Sequence, residues 1–331
     1  MSETPTFHVL ALSGGGYRGL YTATVLAELE RALGRPIASH FDLICGTSVG
    51  GILALGLADE IPASQLQALF EENGNRIFGC RDLLRRLLGF WFTAKHSSEG
   101  LKNVLTERFG EKTIGELKHR VLIPAVNYST GRGQFFKTPH HLSFELDHHM
   151  RLVDVALATS AAPVYLPLSR NPRGVFADGG LVGNAPGLFG LHEVRTFLSP
   201  DKNAQIRVLA IGTMTIGATV RGSASLDRGF GKWRGGLFDL VISAQESSVD
   251  YMLRQSLGAS YYQIDDKATP DQSLDVKALD SVSIGATNTL KDRATHAAQR
   301  ALGDPLFQPF RVHMASTPTF FHGPNKNILE A

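Results

Sequence analysis

Cysteine is almost missing from this chain. Its 331 residues include only Cys45 and Cys80, too few for a disulfide framework or a thiolate metal centre, which suits a reducing compartment. A charge excess is missing too: 33 basic against 31 acidic residues leave a formal +2. No global basic field therefore recruits DNA or RNA, and neither is expected as a partner. No apolar run approaches the ~20 residues of a transmembrane helix, so no transmembrane span is expected. The opening residues, MSETPTFHVLALSGGG, lack a basic n-region, and their apolar stretch stops at glycines, unlike a secretory signal. Repeats and low-complexity linkers are also missing. Together these absences indicate a cytoplasmic protein with one domain over residues 1–315. An aperiodic tail follows over 316–331. Any membrane contact would be peripheral. With 43% hydrophobic residues, the chain can bury one large core.

What is present is an alternation of strand and helix signals. Phe7–Leu12, Phe41–Gly46, Arg120–Asn127, Gly174–Gly180 and Ile206–Thr213 read as strands. Gly19–Leu33 has helical spacing, with Gly34 placed as its C-cap. Val49–Ala58 reads as a helix buried on most sides. Further helices are expected over Arg151–Ser160, Gly187–Leu198, Leu237–Leu257 and Ile284–Leu302. Such alternation indicates an α/β fold, a mostly parallel sheet with helices on both faces.

At one strand-to-helix junction the chain reads Gly46-Thr47-Ser48-Val49-Gly50, the pattern of a nucleophile elbow. The turn is so tight that side chains two residues either side of the serine would strike the neighbouring strand or helix. The new helix also directs its positive end toward the serine oxygen, where charge develops in acyl transfer. The same pentapeptide can act as a helix N-cap, so its surroundings decide. Gly14-Gly15-Gly16-Tyr17-Arg18-Gly19 offers backbone N–H groups suited to an oxyanion hole. Read alone it is also the dinucleotide pattern Gly-x-Gly-x-x-Gly. That reading wants an acidic residue about 20 positions on, and Asp42 falls late and inside its strand. Asp178 ends an apolar strand and precedes Gly179 and Gly180. Read as a plain turn it is unremarkable; read with the other two loops it supplies a base at one sheet edge. Three readings stay open: an acyl hydrolase with a Ser-Asp dyad, an esterase with a histidine triad, and a dinucleotide-binding protein.

These motifs resemble those of the patatin-like phospholipases. GGGYRG at 14–19 is similar to their oxyanion-hole motif, GTSVG at 46–50 to their elbow, and DGG at 178–180 to their aspartate motif. TSAAP at 159–163 and GNAP at 183–186 also look like family signatures, all in family order over about the first 215 residues. The resemblance implies a three-layer sandwich and ester hydrolysis of membrane phospholipid. Ser48 would be the nucleophile and Asp178 the base, at the strand ends, without cofactor, metal or catalytic histidine. An aspartate acting alone needs desolvation to raise its pKa toward the working pH. A narrower resemblance is to the CapV-type effectors of bacterial cyclic-oligonucleotide anti-phage systems. It implies an enzyme quiet until an allosteric cyclic dinucleotide binds, acting at the inner face of the cell membrane. Assembly into a homo-oligomer on activation would be part of that behaviour.

Other segments suggest ligand contacts. Arg81–Phe92 has a basic amphipathic pattern that reads as a lid, a membrane contact or plain surface. Arg221, Arg228, Lys232 and Arg234 gather around Trp233, and Arg132 and Lys137 lie on an expected hairpin. Cations beside aromatics suit a phosphate-bearing activator or headgroup. The pairs His140-His141 and His148-His149 lack a recognised metal spacing and read as loop histidines. Cys45 reads as a small buried hydrophobe.

Overall fold

The computed structural model describes residues 5–78, 93–199, 203–214, 227, 236–269, 272, 275–276 and 278–327. In chain order these form β1 (Thr6–Leu12), α1 (Gly19–Leu33), β2 (Leu43–Gly46), α2 (Val49–Ala58), α3 (Ala63–Phe78) and α4 (Glu99–Phe109). Next come β3 (Val121–Asn127), β4 (Arg132–Lys137), α5 (Leu152–Thr159), β5 (Ser169–Asn171), β6 (Gly174–Ala177), α6 (Gly180–Gly183) and α7 (Gly187–Glu193). The chain closes with β7 (Gln205–Ile211), α8 (Gly236–Leu257), β8 (Tyr261–Ile264), α9 (Ile284–Gly303) and α10 (Gln308–Val312).

Side-chain alternation along the strands builds the layers. Leu10 and Leu12 of β1, Ile44 of β2 and Leu209 and Ile211 of β7 face one core, covered by α1 to α5 and α9. Val9, Ala11, Leu43, Cys45 and Val208 face the other, where Leu191 of α7 and Leu253 of α8 cover them. Cys45 is thus a buried core residue. Both faces being covered, β1, β2 and β7 carry near-continuous apolar runs. Gly34 ends α1 at φ 69°, its N–H bonded to the Glu30 carbonyl 2.9 Å away.

The sheet has eight strands in the order β5-β6-β3-β2-β1-β7-β8, with β4 also on β3. β1, β2, β3, β7 and β8 run parallel, while β4 and β6 run against β3. Leu122 pairs with both Lys137 of β4 and Cys45 of β2, and Val126 with both Gly133 of β4 and Ala177 of β6. β2 and β6 therefore share one edge of β3 and approach each other head to head. The loops leaving their facing ends must meet over Ile123 to Ala125.

Beyond residue 315 the chain packs on the body. Phe320 is buried, Phe321 N–H bonds the Pro139 carbonyl, and Asn325 donates to the Leu117 carbonyl. The Arg81–Phe92 segment lies outside the described residues.

Candidate active site

Ser48 follows β2, and its backbone sits at φ 54°, ψ −124°, a conformation that costs a side-chain-bearing residue energy unless its surroundings enforce it. The enforcement is visible. A Cβ on Gly46 would run into the Gly50 carbonyl, and one on Gly50 would run into the Leu12 carbonyl of β1. Thr47 is buried, its hydroxyl donating to the Gly183 carbonyl at 2.8 Å and its N–H to the Leu12 carbonyl at 3.1 Å. Ser48 N–H donates to Thr159 Oγ1 (3.0 Å), which in turn donates to the Pro124 carbonyl (2.6 Å). The turn is thus anchored to β1, to α5 and to the stretch of β3 left open between β2 and β6.

Asp178 leaves the end of β6 opposite. Ser48 Oγ donates to Asp178 Oδ2 at 2.7 Å, and Gly180 N–H donates to Oδ1 at 2.6 Å. Gly179 N–H bonds the Thr159 carbonyl at 3.0 Å, so the aspartate loop and the elbow share one support. The carboxyl is buried, and that desolvation pushes its pKa from 3.8 to about 6; the two hydrogen bonds only partly oppose it.

The glycine loop after β1 lies against both. A Cβ on Gly14 would sit 3.0 Å from the Ser48 Cβ, and Gly16 has φ 59°. Most N–H groups of the 14–19 loop are already engaged. Gly14 donates to the Asn184 carbonyl, Tyr17 to the Leu279 carbonyl, Arg18 to the Gly15 carbonyl and Gly19 to that of Gly16. The N–H groups of Gly15 and Gly16 have no acceptor among the described residues, and both glycines line the same pocket as Ser48. The six-residue candidate hole narrows to these two donors. Tyr17 is a packing residue whose hydroxyl meets Thr287 Oγ1 at 2.8 Å, and Gly19 packs on Val49.

The pocket encloses about 700 Å³ including its open mouth. Ile52, Phe70, Ile77, Leu166, Phe238 and Ile242 make its walls mostly apolar. That lining suits an acyl chain better than a polar substrate. Arg18 reaches into it. The residue is buried and its Nε has no hydrogen-bond partner among the described residues, while Glu246, Asp239 and Asp265 attract the guanidinium from a distance. No histidine is among the described residues lining the pocket. His313 bonds Asp42 at the opposite end of the sheet, and His322 bonds the Leu142 carbonyl. Asn184, Thr213 and Leu279 stand where a Cβ on Gly14, Gly15 or Gly16 would fall. Asp42, the acidic residue that the dinucleotide reading needs, binds His8 N–H and His313.

A profile of the patatin-like phospholipases matches residues 10–188, which hold the glycine loop, the elbow and Asp178. The chain belongs to this family. It is accordingly a carboxylic ester hydrolase acting on lipid. It is 82% identical over 331 residues to a Pseudomonas aeruginosa (strain BWHPSA011 / Pa011) protein named cGAMP-activated phospholipase, covering 100% of this chain and 99% of that one. An Escherichia coli (strain TW11681) protein of the same name is 43% identical over 225 residues, 64% of this chain and 63% of its own length. A further Escherichia coli protein, named cUMP-AMP-activated phospholipase, is 30% identical over 215 residues, 62% of this chain and 63% of its own. The patatin fold accounts for the mixed sheet and the two helical layers described above.

Two residues of this patatin-like site carry work that the sequence reading gave only to motifs. Thr159, in TSAAP, holds the Ser48 N–H. Asn184, in GNAP, holds Gly14. Both are buried polar side chains beside small residues, a pattern that separates them from surface threonines and asparagines only after folding. Of the ligand-contact candidates, Lys137 is taken up elsewhere. Its ammonium pairs with Glu193 Oε2 at 2.6 Å and lies over the rings of Phe144 (4.5 Å) and Phe197 (4.7 Å). Lys137, an activator or headgroup candidate in the sequence, thus supplies the cation that buried Glu193 demands. Arg132 is exposed at the start of β4 and does not line the pocket. Arg221, Arg228, Lys232, Trp233 and Arg234 lie outside the described residues. His140 closes the Glu193 pair at 3.0 Å, and His141 packs against Phe144 and Phe197.

Proposed function

We propose that this chain hydrolyses acyl esters of membrane phospholipid through a Ser48–Asp178 dyad, and that a cyclic dinucleotide switches it on. The observation that carries the reading is the 2.7 Å hydrogen bond from Ser48 Oγ to a buried carboxylate, inside an apolar pocket roofed by the glycine loop. Asp178 removes the hydroxyl proton as Ser48 Oγ attacks the ester carbonyl. The oxyanion that forms accepts from Gly15 and Gly16 N–H, aided by the positive end of α2. The intermediate collapses to an acyl-serine, Asp178 returning the proton to the departing lysolipid alkoxide. Water then attacks the acyl-serine with Asp178 again as base, and the second intermediate expels Ser48 Oγ, which takes that proton back as the fatty acid leaves. A pKa near 6 suits both duties: the group is ionised at neutral pH yet basic enough to accept a proton.

Activation by cGAMP is taken from the name of the relative that matches the whole chain, and the nucleotide named for the more distant relative differs. The proposal has the lipid met from a peripheral position at the inner face of the membrane; no helix among the described residues is long and apolar enough to cross one. Assembly into a homo-oligomer on activation belongs to the same proposal. The test is phospholipid-vesicle hydrolysis by the purified full chain, with and without cGAMP, beside Ser48→Ala and Asp178→Asn. Turnover should need cGAMP and vanish in both variants. Turnover by Ser48→Ala would end the dyad reading, and equal turnover without any nucleotide would end the gating reading.

A further inference from the structure

Gly14 is gripped at both ends. Its N–H donates to the Asn184 backbone carbonyl at 3.1 Å, and its own carbonyl accepts from Asn184 Nδ2 at 3.0 Å and Thr213 Oγ1 at 3.1 Å. That carbonyl shares one planar peptide unit with the N–H of Gly15, and no peptide bond here is cis. In a trans unit the two groups point in opposite directions. Whatever holds the Gly14 carbonyl toward Asn184 and Thr213 therefore aims the Gly15 N–H the other way.

Asn184 is itself held from α8. Nδ2 also donates to Glu246 Oε1 at 2.6 Å, while the Asn184 N–H donates to Gln245 Oε1 at 3.3 Å. Gln245 Nε2 returns to the Leu181 carbonyl at 3.2 Å. A carbonyl and a carboxylate can only accept, so the amide must turn both its N–H bonds to them. The bond to Glu246 is charge-assisted and is the shorter of the two. Asn184 is buried at 2% exposure, leaving it little room to relax.

We propose that Asn184 is a positioning residue, clamped from α8 by Glu246, that orients the Gly14–Gly15 peptide so that the Gly15 N–H meets the oxyanion formed on Ser48. The proposal rests on the dyad reading above and adds to it a lever. A displacement of α8 that moves Glu246 is passed through the Asn184 side chain to the oxyanion donor. A peptide that rotates away from Asn184 withdraws the donor.

The test uses the full chain with cGAMP present, a soluble short-chain p-nitrophenyl ester, and an alkyl trifluoromethyl ketone. The hemiketal that forms when the serine oxygen adds to the ketone carbonyl places an oxyanion where the intermediate does. Asn184→Ala and Glu246→Ala should each lower kcat by about 10²-fold, as loss of one oxyanion donor does, with KM within about threefold of the parent. The inhibition constant of the ketone should weaken by the same factor, since its affinity follows transition-state binding. Glu246→Gln retains an acceptor oxygen and should recover most of the activity. Glu246 is only half-buried, so its variants keep the test alive if Asn184→Ala misfolds. Unchanged kcat in Glu246→Ala overturns the proposal. So does a fall in kcat with the ketone affinity unmoved, because the residue would then act elsewhere than on the oxyanion. Ser48→Ala run alongside separates this failure from that of the dyad: turnover there removes the underlying reading whatever Asn184 does.

Discussion

Asp178 binds Ser48 with one carboxylate oxygen and the Gly180 N–H with the other, so the carboxylate is fixed in the orientation that faces the serine oxygen. Neither bond involves a charged partner, and burial alone sets the direction of the pKa shift. The consequences can be read in activity and in stability.

In activity, the working form of Asp178 is the carboxylate. Below about pH 6 the group is protonated and cannot accept the Ser48 proton. The rate constant kcat/KM on a soluble ester should fall tenfold per pH unit below about 6 and level off above it. The pH–rate profile checks this. A single inflection near 4 would mean the carboxyl is not desolvated during turnover.

In stability, the sign is opposite to that of a salt-bridged aspartate. The folded pKa, about 6, lies above the ordinary 3.8, so between these values the folded state holds a proton that the unfolded state has released. Stability is therefore lost as pH rises from about 4 to about 6, by up to about 3 kcal/mol. Asp178→Asn keeps the shape and removes the buried charge. Its melting temperature at pH 7.5 should exceed that of the parent chain, and the difference should close near pH 4, as followed by thermal denaturation at both pH values.

Thr159 bridges the elbow and the open stretch of β3. Thr159→Val removes the acceptor for Ser48 N–H and the donor for the Pro124 carbonyl, leaving two buried backbone groups without partners. That should cost about 2 kcal/mol or more in denaturant unfolding and depress kcat, while Thr159→Ser preserves both.

Lys137→Ala should act on stability and leave the response to cGAMP intact. It strips Glu193 of a buried cation and leaves only His140, whose own pKa burial holds below the usual histidine range. Removing one partner of a buried pair costs on the order of 3 kcal/mol. Unfolding curves, and a cGAMP titration of the folded enzyme, check the two halves separately.

Much of this architecture was legible in the sequence because both sheet faces are buried. Apolar runs such as VLAL and LICG announce such strands, and the β3–β4 hairpin was marked by its glycine turn. Helix α3 was not legible: its buried stripe of Ala63, Leu66, Phe70, Gly74 and Ile77 includes an alanine and a glycine, and the glycine is there to admit the Tyr17 ring. Strand β8, YYQI, is four residues long and too short for a period to show. At the candidate site, glycine spacing pointed to Ser48, Asp178 and the 14–19 loop, which the fold brings together, because tight turns leave compositional marks. The partners of those turns were hidden. TSAAP and GNAP marked Thr159 and Asn184 only as motif residues, and nothing local marked Glu246; their roles arise from contacts 35 to 170 residues away in sequence. The ion pair of Lys137 was hidden for the same reason: its counter-charge, Glu193, lies 56 residues on.

The measurement that tests the central claim most directly is the site of covalent acylation. The full chain is mixed with cGAMP and a p-nitrophenyl ester, quenched in acid, and its peptides are read by mass spectrometry. The account predicts one acyl group on Ser48 in the parent chain and none in Ser48→Ala. An acyl group carried by any other residue, or turnover by Ser48→Ala, would contradict it.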